Sequence, residues 1–209
     1  MKSRSLSVIA GSSYLIIFFL AIFANFFVLE SILENPLKTV QEDQLLVRFG
    51  ILAFILTVVF DVVVAWALFE LYKEHPLSRL STFFRIMHAA IMGVGVAALP
   101  LLFSLNTPLE ILQQVENFNT IWLTGLFFFG IHLILLAKIL GKPKWIAIFL
   151  IIAGIMYMAD TAAHFLVANY EAYAPLFLAL VAVPSIIGEM SLTVWLLTKG
   201  GRNNTNFTN

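Results

Sequence analysis

Six runs of about 20 apolar residues constrain this sequence more than any other feature. They lie near residues 8–29, 49–71, 83–105, 118–140, 145–167 and 175–197. A helix of about 20 residues spans the hydrocarbon core of a bilayer. Inside lipid, an isolated segment satisfies its own backbone hydrogen bonds only as a helix. The sequence therefore predicts an all-α membrane protein, with residues 1–209 forming one domain, a bundle of six transmembrane helices.

The composition supports this class and excludes several kinds of chemistry. Only 11% of the residues are charged, against about 25% in a typical soluble domain. The formal net charge of +0 provides no basic field for nucleic acid, so none is expected as a partner. The absence of Cys excludes disulfides and thiolate metal sites. The expected partner is the lipid bilayer; the sequence requires no cofactor and leaves association into a homo-oligomer open.

The distribution of basic residues predicts the orientation of the helices, because Lys and Arg concentrate on the cytoplasmic side of a membrane. Ten of the 12 flank the two chain ends and the second and fourth connections: Lys2, Arg4, Lys73, Arg79, Arg85, Lys138, Lys142, Lys144, Lys199 and Arg202. The other connections have only Lys38 and Arg48. Both termini are therefore expected on the cytoplasmic side.

Ionisable side chains inside the spans are the candidates for function, because a charge in hydrocarbon is costly unless it is paired. The candidates for binding a substrate or a proton are Asp61, Arg85, His132, Tyr157, Asp160, His164 and Glu189. The helical rise per residue places His88, His132 and Glu189 at similar depths near the cytoplasmic side, with Asp61 deeper in the membrane. Asp160 and His164 lie nearer the outer face, and we expect them to form an outer group.

The two groups suggest different chemistry. Asp160 and His164 are four residues apart on one helix face, so they form either a titrating carboxylate–imidazole pair or a neutral packing contact. His88, His132 and Glu189 come from three helices and are the candidate metal ligands. Two His at matching depth could also hold a haem. The spacing of these residues requires neither a metal nor a haem. Pro184, five residues before Glu189, suggests a kink in the helix beside this acid.

Several segments of the chain resemble a known family. They are FFGIHLILL at 128–136, PK at 143–144, AGIMYMAD at 153–160 and GEMSL at 188–192, together with Asp61 and Arg85. On these segments the chain resembles a bacterial family of small multi-pass membrane proteins that is known only as a domain of unknown function. The resemblance covers nearly the whole chain. It implies the six-helix topology and a bacterial inner membrane, and it supplies no activity.

Three functions remain compatible with these residues. The first is binding or transport of a small solute, lipid or proton through the polar side chains between the helices. The second is a metal- or haem-dependent enzyme embedded in the membrane. The third is a structural or accessory membrane protein. A polar cavity favours the first, a His and carboxylate cluster the second, and a dry bundle the third.

Overall fold

The computed structural model describes residues 2–201, and long helices form at all six predicted spans. Each is long and apolar enough to cross a membrane. They are α1 (Ser3–Glu34), α2 (Gln44–Leu71), α3 (Ser78–Ser104), α4 (Pro108–Leu140), α5 (Lys144–Leu166) and α6 (Ala174–Thr198). The predicted all-α membrane class and the number of spans are confirmed. Of the basic residues used above for orientation, Arg202 lies outside the described residues.

Local sequence explains the irregular parts of the helices. α1 contains a π-helical stretch at Phe23–Leu29 and is followed by a short connecting helix, Pro36–Gln41. The last part of α3, Leu99–Ser104, tightens into a 3₁₀-helix at Pro100, whose missing N–H breaks the α-helical hydrogen-bond pattern. α4 begins at a capping box, in which Thr107 and Glu110 satisfy each other's backbone N–H groups.

The six helices form a closed ring in chain order. Each helix packs against its neighbours in the sequence, and α6 packs against α1. Arg4 and Ser7 stabilise the contact between α6 and α1, because both donate hydrogen bonds to the carbonyl oxygen of Leu196 at 2.9 Å. Arg4 also donates to the carbonyl of Gly200 at 3.0 Å. These bonds satisfy carbonyls that the end of a helix leaves free, and they hold the start of α1 beside the end of α6.

The contact between α4 and α5 is made backbone to backbone. A Cβ atom added to Gly130 would lie 2.5 Å from the carbonyl oxygen of Gly154, and the reverse distance is also 2.5 Å. Neither helix could approach the other this closely with a side chain at these positions. This pair therefore sets the distance between the two helices.

The core consists of two apolar clusters with the polar residues between them. Leu133 and Leu150 belong to the cluster nearer the chain ends, and Phe54 and Phe118 belong to the other. Tyr14 and Phe129 of the first cluster, and Trp122 packed against the second, line one internal cavity. Large apolar side chains cover the outside, as the surface of a lipid-embedded bundle requires.

Candidate functional site

Arg85 lies at the centre of the polar residues and connects four helices. Its side chain on α3 is 1% exposed. Nη2 donates to Oδ1 of Asp61 on α2 at 2.5 Å, and Nη1 donates to the hydroxyl of Tyr14 on α1 at 2.6 Å. Nη1 also lies 3.2 Å from Nε2 of His132 on α4. Arg85 was a candidate near the inner end of the third span, and because α3 begins at Ser78, two turns earlier, its side chain lies inside the bundle.

The hydrogen bonds around His132 assign its protons. A guanidinium nitrogen is only a donor, so Nε2 of His132 accepts from Arg85 and carries no proton. Nδ1 is then the protonated nitrogen, and it lies 3.0 Å from the carbonyl oxygen of Ser81. His132 is therefore a neutral ring with both nitrogens engaged. The adjacent guanidinium would also repel a metal cation at Nε2.

His88 completes the surroundings of Asp61. Its Nδ1 lies 3.0 Å from the carbonyl oxygen of Gly125, and its Nε2 lies 3.6 Å from Oδ2 of Asp61. Asp61 thus faces Arg85 with one oxygen and His88 with the other. Within residues 2–201 no group of three or more His, Asp or Glu side chains is placed to hold a metal. The candidate metal ligands His88, His132 and Glu189 are therefore not brought together as a ligand set.

A cavity of about 200 Å³ adjoins this network, and all six helices contribute to its wall. One part of the wall is polar and includes Tyr14, Asp61, Arg85 and His88. Aromatic, aliphatic and Met side chains make up most of the remainder. Nε of Arg85 is buried and makes no hydrogen bond to the described residues. The cavity therefore combines a mostly apolar wall with a polar part beside the buried Asp61–Arg85 pair.

Glu189 faces the same cavity from α6 and is only half-buried. The hydroxyl of Tyr157 on α5 donates to its Oε1 at 3.5 Å, a long hydrogen bond. In the part of the chain that the structure describes, Glu189 makes no ion pair with Lys, Arg or His. Pro184 lies buried inside α6, just over one turn before it. Glu189 is thus a cavity carboxylate without a paired cation.

The outer group has a different partner from the expected one. Asp160 is buried, 7% exposed, and accepts a hydrogen bond at 2.7 Å from the hydroxyl of Tyr170, in the connection after α5. His164 makes no hydrogen bond to Asp160; its Nε2 lies 4.0 Å from Glu116 on α4. Burial and the bond to Asp160 raise the pKa of Tyr170, so its hydroxyl remains a donor at neutral pH. This group does not line the cavity.

Comparison with known proteins identifies the family. The profile of the family described as a domain of unknown function, DUF4386, matches residues 9–200. The chain belongs to the DUF4386 family. An uncharacterized protein of Archaeoglobus fulgidus is 30% identical over 158 residues, which cover 73% of this chain and 84% of that protein. No solved structure matches the chain. The archaeal relative shows that similar chains are not confined to bacteria.

Sequence reasoning missed several residues of the site in this DUF4386 member. Tyr14 and Ser81 contact Arg85 and His132, and Trp122 forms part of the cavity wall. Hydroxyl and indole groups are common in membrane helices, so nothing in their spacing separates them from packing residues. The pair Ser12-Ser13 just before Tyr14, near the start of the first apolar run, is the polar interruption that could have indicated Tyr14.

Proposed function

We propose that this membrane protein binds a small molecule in the cavity enclosed by its six helices. The observation that carries the proposal is the polar part of the cavity wall, where Glu189 is a carboxylate without an ion-pair partner among the described residues. A bundle that served packing alone would be as stable, or more so, with apolar side chains in place of the Asp61–Arg85 pair.

The size of the cavity restricts the ligand. A cavity of about 200 Å³ far exceeds the ~10–15 Å³ that one water needs. It is smaller than the ~300–1,000 Å³ pockets that enclose drug-sized ligands. A compact molecule fits this volume, and a complete phospholipid does not. The metal- or haem-dependent enzyme has less support, because both nitrogens of His132 and Nδ1 of His88 are already engaged by protein atoms.

The seam between α1 and α6 is the proposed route into the cavity. Towards the chain ends the seam is tight, since a Cβ atom on Gly11 would lie 2.8 Å from Cγ of Leu197. At the level of the cavity its wall includes Phe18, which is half-buried, and Ile186, which is 52% exposed. We propose that a ligand enters the cavity here from the lipid. Transport across the membrane would require, in addition, release of the ligand on the other side.

A pair of single-cysteine variants tests the cavity, since the chain has no Cys of its own. Ser185→Cys places a thiol in the cavity wall, whereas Ser13→Cys places one at a buried position of α1 outside the cavity. In lipid nanodiscs we expect N-phenylmaleimide, which partitions into the bilayer, to label Cys at 185 in the folded protein. Cys at 13 should react only after unfolding.

The outcome separates the proposed functions. Reaction at 185 with N-phenylmaleimide but not with a negatively charged thiosulfonate supports a binding cavity reached from lipid. Reaction with both reagents indicates an aqueous route and contradicts the α1–α6 seam as the path. Failure of both reagents at 185, matching the result at 13, would contradict ligand binding and favour a structural protein.

We also propose that both termini face the cytoplasm, in the cytoplasmic membrane, which the family resemblance implies is bacterial. Arg85 lies inside the bundle and therefore does not count towards the orientation. The other basic residues still lie mostly on the side of the chain ends. Cysteines at Asn106 and Asn169, both exposed, should react with an impermeant thiol reagent in intact cells. A cysteine at Glu74, exposed in the second connection, should not. The reverse pattern would invert the orientation.

A further inference from the structure

We propose that the ligand is a compact organic cation, a quaternary or protonated amine bearing apolar groups, and that Glu189 is its counter-ion. This inference rests on the proposed binding function and adds the chemical class of the ligand. Three features carry it: the charges in the cavity wall, the aromatic rings in the same wall, and the lack of a metal-ligand set among residues 2–201.

The balance of charges in the cavity wall favours a cation. The wall contains two carboxylates, Asp61 and Glu189, and one guanidinium, Arg85. Arg85 forms an ion pair with Asp61 at 2.5 Å, whereas Glu189 has no ion-pair partner among the described residues. A carboxylate removed from water needs a cation or a proton. An anionic ligand would bring a third negative group to a site with one guanidinium.

The aromatic residues that share the cavity wall with Glu189 form the second feature, and the hydroxyl of Tyr157 contacts its carboxylate. Five rings line the cavity, and Arg85 already lies over two of them, 4.7 Å from the Tyr14 ring centre and 5.2 Å from that of Phe129. The other three belong to Phe18, Trp122 and Tyr157. Aromatic faces beside a carboxylate are the recognition chemistry for ammonium groups, which rings attract through their quadrupoles. We call these three rings the aromatic wall.

The surroundings also distinguish an organic cation from a metal ion. Hard cations such as Ca²⁺ require 6–8 oxygen ligands, and Mg²⁺ requires an octahedral set. The wall contains two carboxylates and several hydroxyls, but no three His, Asp or Glu side chains of the described residues are grouped to hold a metal. Apolar side chains such as Ile17, Leu126 and Met190 lie in the same wall. An ammonium ion carrying alkyl or aryl groups buries apolar area against such side chains while its charge faces Glu189.

Equilibrium dialysis of the full chain in phosphatidylcholine nanodiscs tests the proposal, with empty nanodiscs subtracted. The probes are benzyltrimethylammonium, its neutral carbon isostere neopentylbenzene, and benzenesulfonate. We expect saturable binding of the cation and weaker binding of the other two. Glu189→Gln should weaken cation binding by about tenfold or more and leave the neutral isostere unchanged. Glu30→Gln, at the exposed end of α1, is the matched control and should change neither.

A second pair of variants tests the aromatic wall without altering Glu189. Tyr157→Phe keeps the ring and should retain cation affinity within about threefold, whereas Tyr157→Leu removes the ring and should lower it by about tenfold. Equal binding of the cation and the neutral isostere by the unaltered protein, or unchanged cation affinity in folded Glu189→Gln, would overturn the proposal. If Cys at 185 is labelled but the cation does not bind, the ligand class alone is wrong. If Cys at 185 is not labelled, the cavity itself is wrong.

Discussion

Arg85→Met is expected to destabilise the folded protein by about 3–5 kcal/mol, the typical result of removing one partner from a buried ion pair. The change leaves Asp61 in the interior with only His88, 3.6 Å away, and deprives Tyr14 and His132 of their donor. The free energy of unfolding in bicelles, followed by circular dichroism during SDS titration, measures the loss.

Two further variants show whether the ion pair causes this effect. Arg79→Met changes an exposed residue of the same helix and should stay within about 0.5 kcal/mol of the unaltered protein. Adding Asp61→Asn to Arg85→Met removes the orphaned charge, so the double variant should be more stable than Arg85→Met alone. If Arg85→Met is as mild as Arg79→Met, Arg85 does not hold the bundle together.

Gly154→Ala is expected to cost about 3 kcal/mol, although Ala is the better helix former by about 1 kcal/mol. The added Cβ would lie 2.5 Å from the carbonyl oxygen of Gly130 and 2.8 Å from Cγ1 of Ile134, so α5 must move away from α4. The same unfolding titration gives the change in stability.

Gly93→Ala is the control for this glycine contact. A Cβ at Gly93 would meet one atom, Cγ1 of Val58, at an ordinary 3.9 Å. Only the helix-propensity term then applies, and the change should be neutral or stabilising by up to about 1 kcal/mol. Opposite signs at the two glycines are the expected result. A stabilising Gly154→Ala would show that the two helices are farther apart than described.

The helices were predictable from the sequence because lipid imposes a length and an apolar composition on every span. The rise per residue also placed His88, His132 and Glu189 near one another in depth, and all three lie around the cavity or its network. This geometry depends only on position along a helix. Their function as a binding site remains a prediction.

The partners of these residues could not be predicted, because they depend on how each helix is rotated about its axis. Arg85 was a candidate near the inner end of the third span, but that position did not indicate Tyr14 and His132 as its partners. Tyr14 had no sequence signal comparable to an ionisable group. Asp160 was expected to bond within its own helix or to a neighbouring one, but the backbone after α5 brings Tyr170 to it.

A cryo-EM map of the protein in a lipid nanodisc, at a resolution that shows side chains, tests the central claim most directly. The claim is that the space between Arg85 and Glu189 belongs to a ligand. The account predicts density that is not protein in this space, in contact with the Glu189 carboxylate. Side chains that fill the space and leave no room for a ligand beside Glu189 would contradict it.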